Sequence, residues 1–556
     1  MAIKNRSLAL KLKAGKLRPS TYYPVGAIIA VWVVMELLVN PRGNFPLNDD
    51  WCYAKTVYAL VRTGRLEFIQ IVPMTLLTQV LWGALFCKLF GVSFFALRLS
   101  TMALSLVGLL ATYGLLREVQ ASRKIAFIGC MVVAVNPIYV NLSNTFMTDV
   151  PFYAFALLTL YLFARALNRD SNPALAAGTL LACATTLTRQ AGVVLPIAFS
   201  LAYLLKNGIS RRAAIRALTP PAITLGALTG YQQWLTVTDR LPAYSRLMTQ
   251  EAFSFLSRGL GPITVSLAQI LLVVLVYLGL FLLPFLVLLG RRSVSLVSVG
   301  SFAVLTGAVI LTHRWMPLNT QPGDIIVNFG VGPLTLRDVF LDKLPHWPSA
   351  PMWFWIMVTL AGAAGGGILV RHLFLAVKSL LSLKAKRYTY GQALTMLLIV
   401  TFAALFCQSV VLSGLAYFDR YFLLLVPISM MLVLLNGDAV ARHGRGVLGL
   451  AAAILLLYGI FSAAATHDYF SWNRARLDAL YDLTNMQVPT DRIDGGYEFN
   501  GWFNYKDDPD QNWWRVVGDD YTLTFGPLPN FEVLRTYPFR RWLPPGEGEV
   551  LVLRRM

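Results

Sequence analysis

Charged side chains are scarce in this chain, at 14% of 556 residues, and acids are scarcer than bases: 28 Asp and Glu stand against 48 Lys and Arg. Paired cysteines are missing as well. Cys52, Cys87, Cys130, Cys183 and Cys407 are scattered, mostly inside apolar segments, which excludes a disulfide framework and a Cys-based zinc site. The sequence contains no internal repeat, no low-complexity tract and no dedicated metal motif, and it requires no cofactor. The net charge of +20 does not mark a nucleic-acid binder, because the cations cluster in short loops between apolar runs, as membrane topology demands.

What the chain has in plenty is apolar length. Hydrophobic residues make up 56% of it, the mean hydropathy is +0.59, and many separate runs of roughly 16 to 25 residues match the hydrocarbon thickness of a bilayer. This composition specifies an all-α polytopic membrane protein. The first run, 23–39, follows a basic leader, "MAIKNRSLALKLKAGKLRPS", and ends "ELLVNPRG" without a small-residue cleavage site, so it reads as a retained span with a cytoplasmic N-terminus.

Placing the basic loops 117–124, 168–172, 206–216, 291–293, 371–387 and 441–446 in the cytoplasm gives a consistent path. Twelve further spans follow, near 96–116, 125–142, 150–167, 175–188, 191–206, 217–235, 263–290, 293–311, 351–370, 393–415, 421–437 and 447–465, thirteen in all. One run, "MTLLTQVLWGALFCKLF" (74–90), is short and carries Gln79 and Lys88. Counted as a span it would invert every later basic loop, so it is expected as an interfacial or re-entrant helix in a long first outer loop, 41–95. The membrane part is thus expected over 1–465. Residues 466–556 change texture and read as a small outer α+β domain, with a helix over 472–483 and strands in "YTLTF", "FEVLRTY" and "EVLVLRR".

Two acidic sites stand out against this background. The first is "PLNDDWCYAKTVYALVRTG" (46–64), in which Ala54, Val57, Tyr58 and Val61 follow helical spacing, Asn48 is a candidate N-cap and Gly64 a candidate stop. Asp49 and Asp50 at its head could simply offset the positive end of the helix dipole. The second is "NLSNTFMTDVPFYAF", which places Asp149 on the same outer side, where it could equally be a helix cap. Convergence of both on one face favours a site, since a carboxylate at an apolar boundary is costly without a role or a partner. Adjacent acids also resist joint ionisation, which suits a general base or a cation site. Arg189 in "TLTRQAG" and Arg420 in "YFDRYFLLLVP" lie on that side too. Each could be a snorkelling interfacial cation; together, with Tyr421 beside them, they could clamp a phosphate against apolar walls. Asp419 is expected to pair with a neighbouring arginine.

The order "NDDWCYA", "FGVSFFALRLS", "SNTFMTDVPF" and "DRYFLLLVP" resembles the GT-C glycosyltransferases that use polyprenyl-phosphate sugars, in particular the branch holding protein O-mannosyltransferases and lipid A aminoarabinose transferases. The resemblance covers roughly residues 20 to 465. It implies a glycosyltransferase in which Asp49 or Asp50 activates the acceptor, Asp149 is the second acid, and Arg420 with Arg189 binds the carrier phosphate. The O-mannosyltransferases often carry Asp-Glu where this chain has Asp-Asp, so the choice between Asp49 and Asp50 stays open. Asp50 and Asp149 are the residues that would hold a divalent cation. The implied partners are a polyprenyl-phosphate sugar donor, an envelope acceptor (lipid, glycan or protein) and membrane lipids. The implied location is a bacterial inner membrane, with the site and C-terminus outside.

A transporter or flippase of lipid-linked sugars is the main rival, and Glu36 in the first span leans that way. A non-catalytic assembly subunit is the other. In the terminal domain, "GGYEFNGWFNY" and "NWWRV" offer aromatics that could stack on a sugar or pack within the small sheet.

Overall fold

Serine and asparagine punctuate the apolar helices. In the computed structural model, which describes residues 23–290, 294–313, 318, 324–381, 387–412, 418–436, 444–506 and 519–556, the side chains of Ser93, Ser122, Ser171 and Ser210 each accept a backbone N–H from three residues on, starting the helices Phe94–Glu118, Arg123–Ala134, Asn172–Thr186 and Arg211–Val237. The basic leader, the 291–293 loop and "NWWRV" (512–516) lie outside the described residues, as do parts of the loops 371–387 and 441–446.

Among the described residues, seven helices are long and apolar enough to cross a membrane: Phe94–Glu118, Asp149–Arg169, Leu260–Phe281, Met352–Leu381, Tyr390–Leu412, Asp419–Asn436 and Arg445–Asn485. An eighth is broken: Arg123–Ala134 and Pro137–Ser143 meet at 64°. Pro137 cannot donate to the helix before it, and the Asn136 side chain takes the N–H groups of Ile138 and Tyr139 that the break frees. The sequence-based count of thirteen is therefore met only in part. The spans expected at 23–39, 175–188 and 191–206 are helices of 17, 15 and 14 residues, and 14 residues rise only about 21 Å, short of a hydrocarbon core of about 30 Å. A helix the sequence reading left as loop, Ala243–Ser257, lies between the seventh and eighth expected spans.

The 74–90 run forms the helix Leu77–Phe90. Its awkward Gln79 is fully buried and donates to the Phe146 carbonyl at 2.7 Å, so the polar residue serves as a tie to the second acidic loop. Leu260–Phe281 and Met352–Leu381 pack backbone to backbone: a Cβ on Gly279 would sit 2.1 Å from the Gly362 carbonyl oxygen, so only glycine fits.

The last helix, Arg445–Asn485, runs 41 residues without a break through the expected domain boundary at 465. At about 1.5 Å per residue it is twice as long as a bilayer core is thick. Its second half carries a four-stranded sheet of Ile493–Asp494, Tyr521–Thr524, Phe531–Trp542 and Pro545–Arg555. In space the order is first, second, fourth, third, with the first pair parallel and the others antiparallel. The three strands read from the sequence are all present. Asp468 fixes the hairpin between the two long strands to the helix by accepting the N–H groups of Trp542 and Leu543, both at 2.8 Å.

Candidate active site

The helix opened by the acid pair spans Asp50–Thr63. Gly64 stops it in the left-handed conformation, as its sequence position suggests, but Asn48 is not the cap. Asn48 itself takes a left-handed turn (φ 55) and Asp49 holds the cap position without a side-chain capping bond. This kink turns the two acids to different neighbourhoods.

Asp50 faces inward. It is 2% exposed, and its two oxygens accept the N–H groups of Leu47 at 2.7 Å and Phe146 at 3.2 Å. Burial pushes its carboxyl up to about 8, against the pull of those N–H donors and of Arg98. Asp49 faces the polar site, with its side chain 27% exposed. One oxygen accepts the Tyr497 hydroxyl at 2.6 Å and the other meets Arg420 Nη2 at 3.4 Å.

Asp149 opens the helix Asp149–Arg169. The loop before it, 144–148, is wholly buried. Oδ1 of Asp149 accepts from Arg189 Nη1 at 2.9 Å, while its buried Oδ2 has no hydrogen-bond partner among the described residues. Arg189 precedes a 3₁₀ turn between two short helices. Arg420 sits in a second such turn, Asp419–Phe422. Both guanidinium groups lie near the Tyr421 ring, 5.5 and 5.8 Å from its centroid. The structure thus brings Asp49, Asp149, Arg189, Arg420 and Tyr421 together and sets Asp50 behind them as a brace.

Among the described residues Asp419 makes no ion pair with an arginine, contrary to expectation. Its oxygens accept the N–H groups of Ile325 and Ile326, each at 2.9 Å, and its own N–H donates to Asp324 at 3.0 Å. This reciprocal clasp fixes the turn that aims Arg420. Glu36 is buried in the first helix facing Asn144 of the second acidic loop.

Beside the cluster opens a cavity of about 480 Å³. Its walls come from the helices Ala243–Ser257 and Tyr390–Leu412, with Met248, Phe253, Leu256 and Leu405 among them, and it meets the cluster at Arg189 and Tyr421. An apolar slot that ends on a guanidinium suits an amphiphile with an anionic head. Among the described residues no group of three or more His, Cys, Asp or Glu is placed to hold a metal ion. Of the two candidate ligands, Asp50 accepts two backbone N–H groups and Asp149 accepts from Arg189 through one oxygen.

Tyr497 escaped the sequence reading. It belongs to "GGYEFNGWFNY", whose Phe499 packs in the core of the small sheet, while Trp502 meets Tyr58 of the first-loop helix edge-on at 5.0 Å and Tyr505 lies 5.6 Å from Trp51. The glycines flanking this short helix signalled a local structure, and nothing local signalled its target.

Residues 79–232 match the family model of dolichyl-phosphate-mannose-protein mannosyltransferases. That segment contains Asp149 and Arg189. No curated protein matches the chain in sequence. Among solved structures it is similar to the Archaeoglobus fulgidus oligosaccharyltransferase tethered with an acceptor peptide, at 13% identity and a TM-score of 0.42, over 80% of this chain and 55% of that one. It thus spans about half the length of that enzyme. It is also similar to ArnT from Cupriavidus metallidurans in the apo state, at 12% identity and a TM-score of 0.41, over 96% of this chain and 98% of that one. A third is the arabinosyltransferase EmbB from Mycobacterium smegmatis, at 12% identity and a TM-score of 0.35, over 83% and 42%. The matched family and these structures are of the GT-C glycosyltransferase class, the class the sequence motifs resemble.

Proposed function

We propose that this multi-pass membrane protein transfers a monosaccharide from a polyprenyl-phosphate carrier to a hydroxyl of an envelope acceptor, on the outer face of a bacterial inner membrane. The observation that carries this reading is the meeting of two carboxylates with two largely buried arginines at the end of an apolar cavity. The lipid tail of the donor lies in that cavity and its phosphate sits on Arg189 and Arg420. Asp49 is the general base: of the adjacent pair it alone faces the polar site, whereas the Asp50 carboxyl is taken up by backbone donors.

In the reaction Asp49 takes the proton of the acceptor hydroxyl as its oxygen attacks the anomeric carbon. The bond from that carbon to the phosphate oxygen breaks, the electron pair leaves with the lipid phosphate, and the configuration inverts. Negative charge grows on the leaving phosphate, so fixed guanidinium groups bind the transition state more tightly than the ground state. Asp149 holds Arg189 in place through its 2.9 Å bond and offers its second oxygen to the substrates.

The test is sugar release from radiolabelled polyprenyl-phosphate monosaccharides by the protein in lipid nanodiscs, with an envelope extract as acceptor. Asp49→Asn should lower turnover about 10²- to 10⁴-fold, the usual worth of a positioned base. Unchanged turnover in that variant, or label that never leaves the lipid with any donor, would overturn the assignment. Movement of the lipid across a sealed bilayer would then support a transporter.

A further inference from the structure

The helix Tyr497–Asn504 belongs to the C-terminal domain, yet it touches the head of the first-loop helix. Trp51 packs so closely on it that a Cβ at Gly501 would lie 2.3 Å from the indole. The neighbouring Glu498 is fully buried: it accepts the Asn48 N–H at 3.0 Å, the Thr335 hydroxyl at 2.7 Å and Arg476 Nη1 at 2.7 Å. Arg476, on the long last helix, also reaches the Pro46 carbonyl. Residues 46 to 51 are therefore held from both sides by the C-terminal domain. At the end of this fixed frame the Tyr497 hydroxyl donates to Asp49 Oδ1 at 2.6 Å.

Resting on the reading of Asp49 as the base, we infer that Tyr497 is a positioning residue of the active site, so that the C-terminal domain sets the orientation and basicity of the group that activates the acceptor. A phenol held by a packed domain fixes one carboxylate oxygen and leaves the other toward the polar site. The same bond gives the carboxylate one fixed donor, which a phenylalanine at this position would remove. Burial and the Asp49 charge hold the Tyr497 phenol well above its ordinary range, so it stays a donor throughout. The other groups that face Asp49 are Cys52 and Tyr53 from its own helix, Arg420 from the 3₁₀ turn and Tyr244 from the helix Ala243–Ser257. Among these, burial raises Cys52, Tyr53 and Tyr244, and none of the three ionises near neutral pH.

Tyr497→Phe removes the hydroxyl and keeps the ring. Its turnover should fall roughly tenfold at unchanged donor KM, and the acid limb of its pH–rate profile should move up by about one pH unit, as expected when a carboxylate loses one donor. A substrate-free readout is carbodiimide coupling at Asp49 followed by mass spectrometry across pH, whose profile should move the same way. A loosened domain would lower the amount of active protein without moving either profile. If both profiles stay in place while Asp49→Asn is inactive, Tyr497 is only a packing residue and the inference falls alone. If Asp49→Asn keeps full turnover, the base assignment falls and the inference with it.

Discussion

Two polar clusters share the segment 46–51 and treat their charges in opposite ways. Behind the segment, Glu498, Arg476 and Asp50 are almost fully buried: Glu498 and Arg476 bond across the junction with the C-terminal domain, and Asp50 accepts the N–H groups of Leu47 and Phe146. In front, Asp49 keeps its side chain 27% exposed and Asp149 leaves one buried oxygen unmatched among the described residues. A satisfied buried cluster specifies geometry, whereas an incompletely satisfied one stores capacity for a ligand. The first kind lies directly behind the second and is joined to it through residues 46 to 51.

The sharpest way to break this contrast is Arg476→Ala. It leaves the Glu498 carboxylate buried without its cation, and removal of one partner of a buried pair costs about 3–5 kcal/mol. Thermal unfolding in detergent should show that loss; a melting temperature like that of the wild type would mean the cluster does not bind the domain. Asp50→Asn is a smaller change. An amide turns one N–H₂ donor toward the N–H of either Leu47 or Phe146, and the unmatched pair should cost about 1–3 kcal/mol.

Asp50 also makes a signed prediction about pH. Its folded carboxyl is raised to about 8, above an unfolded value near 3.9, so folding holds a proton that the unfolded chain releases. The stability Asp50 contributes is then fully present below about pH 4, falls as pH rises and levels off above about 8. The melting-temperature difference between wild type and Asp50→Asn should follow that course; a difference that grows with pH contradicts it.

The smallest effect on stability belongs to the front cluster. Asp149→Asn should change folding stability by less than about 1 kcal/mol, because the amide oxygen still accepts from Arg189 and that guanidinium, with 15% of its side chain exposed, keeps contact with solvent. Its turnover should still fall, since Arg189 loses its charged anchor. If Asp149→Asn instead destabilises as much as Arg476→Ala, the two clusters are not different in kind.

Much of the site is legible along the chain because membrane proteins have few acids to spend. Asp49, Asp149, Arg189 and Arg420 stand out as polar groups beside apolar runs, and the structure brings them together. Which member of the Asp-Asp pair faces the site is not legible. It depends on a left-handed turn at Asn48 and on the N–H of Phe146, 96 residues away. The count of thirteen spans is not confirmed among the described residues for a related reason. Hydropathy measures whether a run is apolar, but helix length is set by breaks such as Asn136–Pro137, whose cost is met by side chains on the same and neighbouring elements.

The sequence by itself determined the membrane class, the order of helices, the terminal strands and the residue types available for chemistry. These follow from local composition and from cation placement, each readable within a few residues. Only the tertiary structure decided that Asp50 is a brace, that Asp419 clasps a loop, and that Tyr497 reaches Asp49 across 448 positions. Such contacts are fixed by the packing of whole helices and one domain, and no short-range pattern encodes which distant backbone group a buried carboxylate will find.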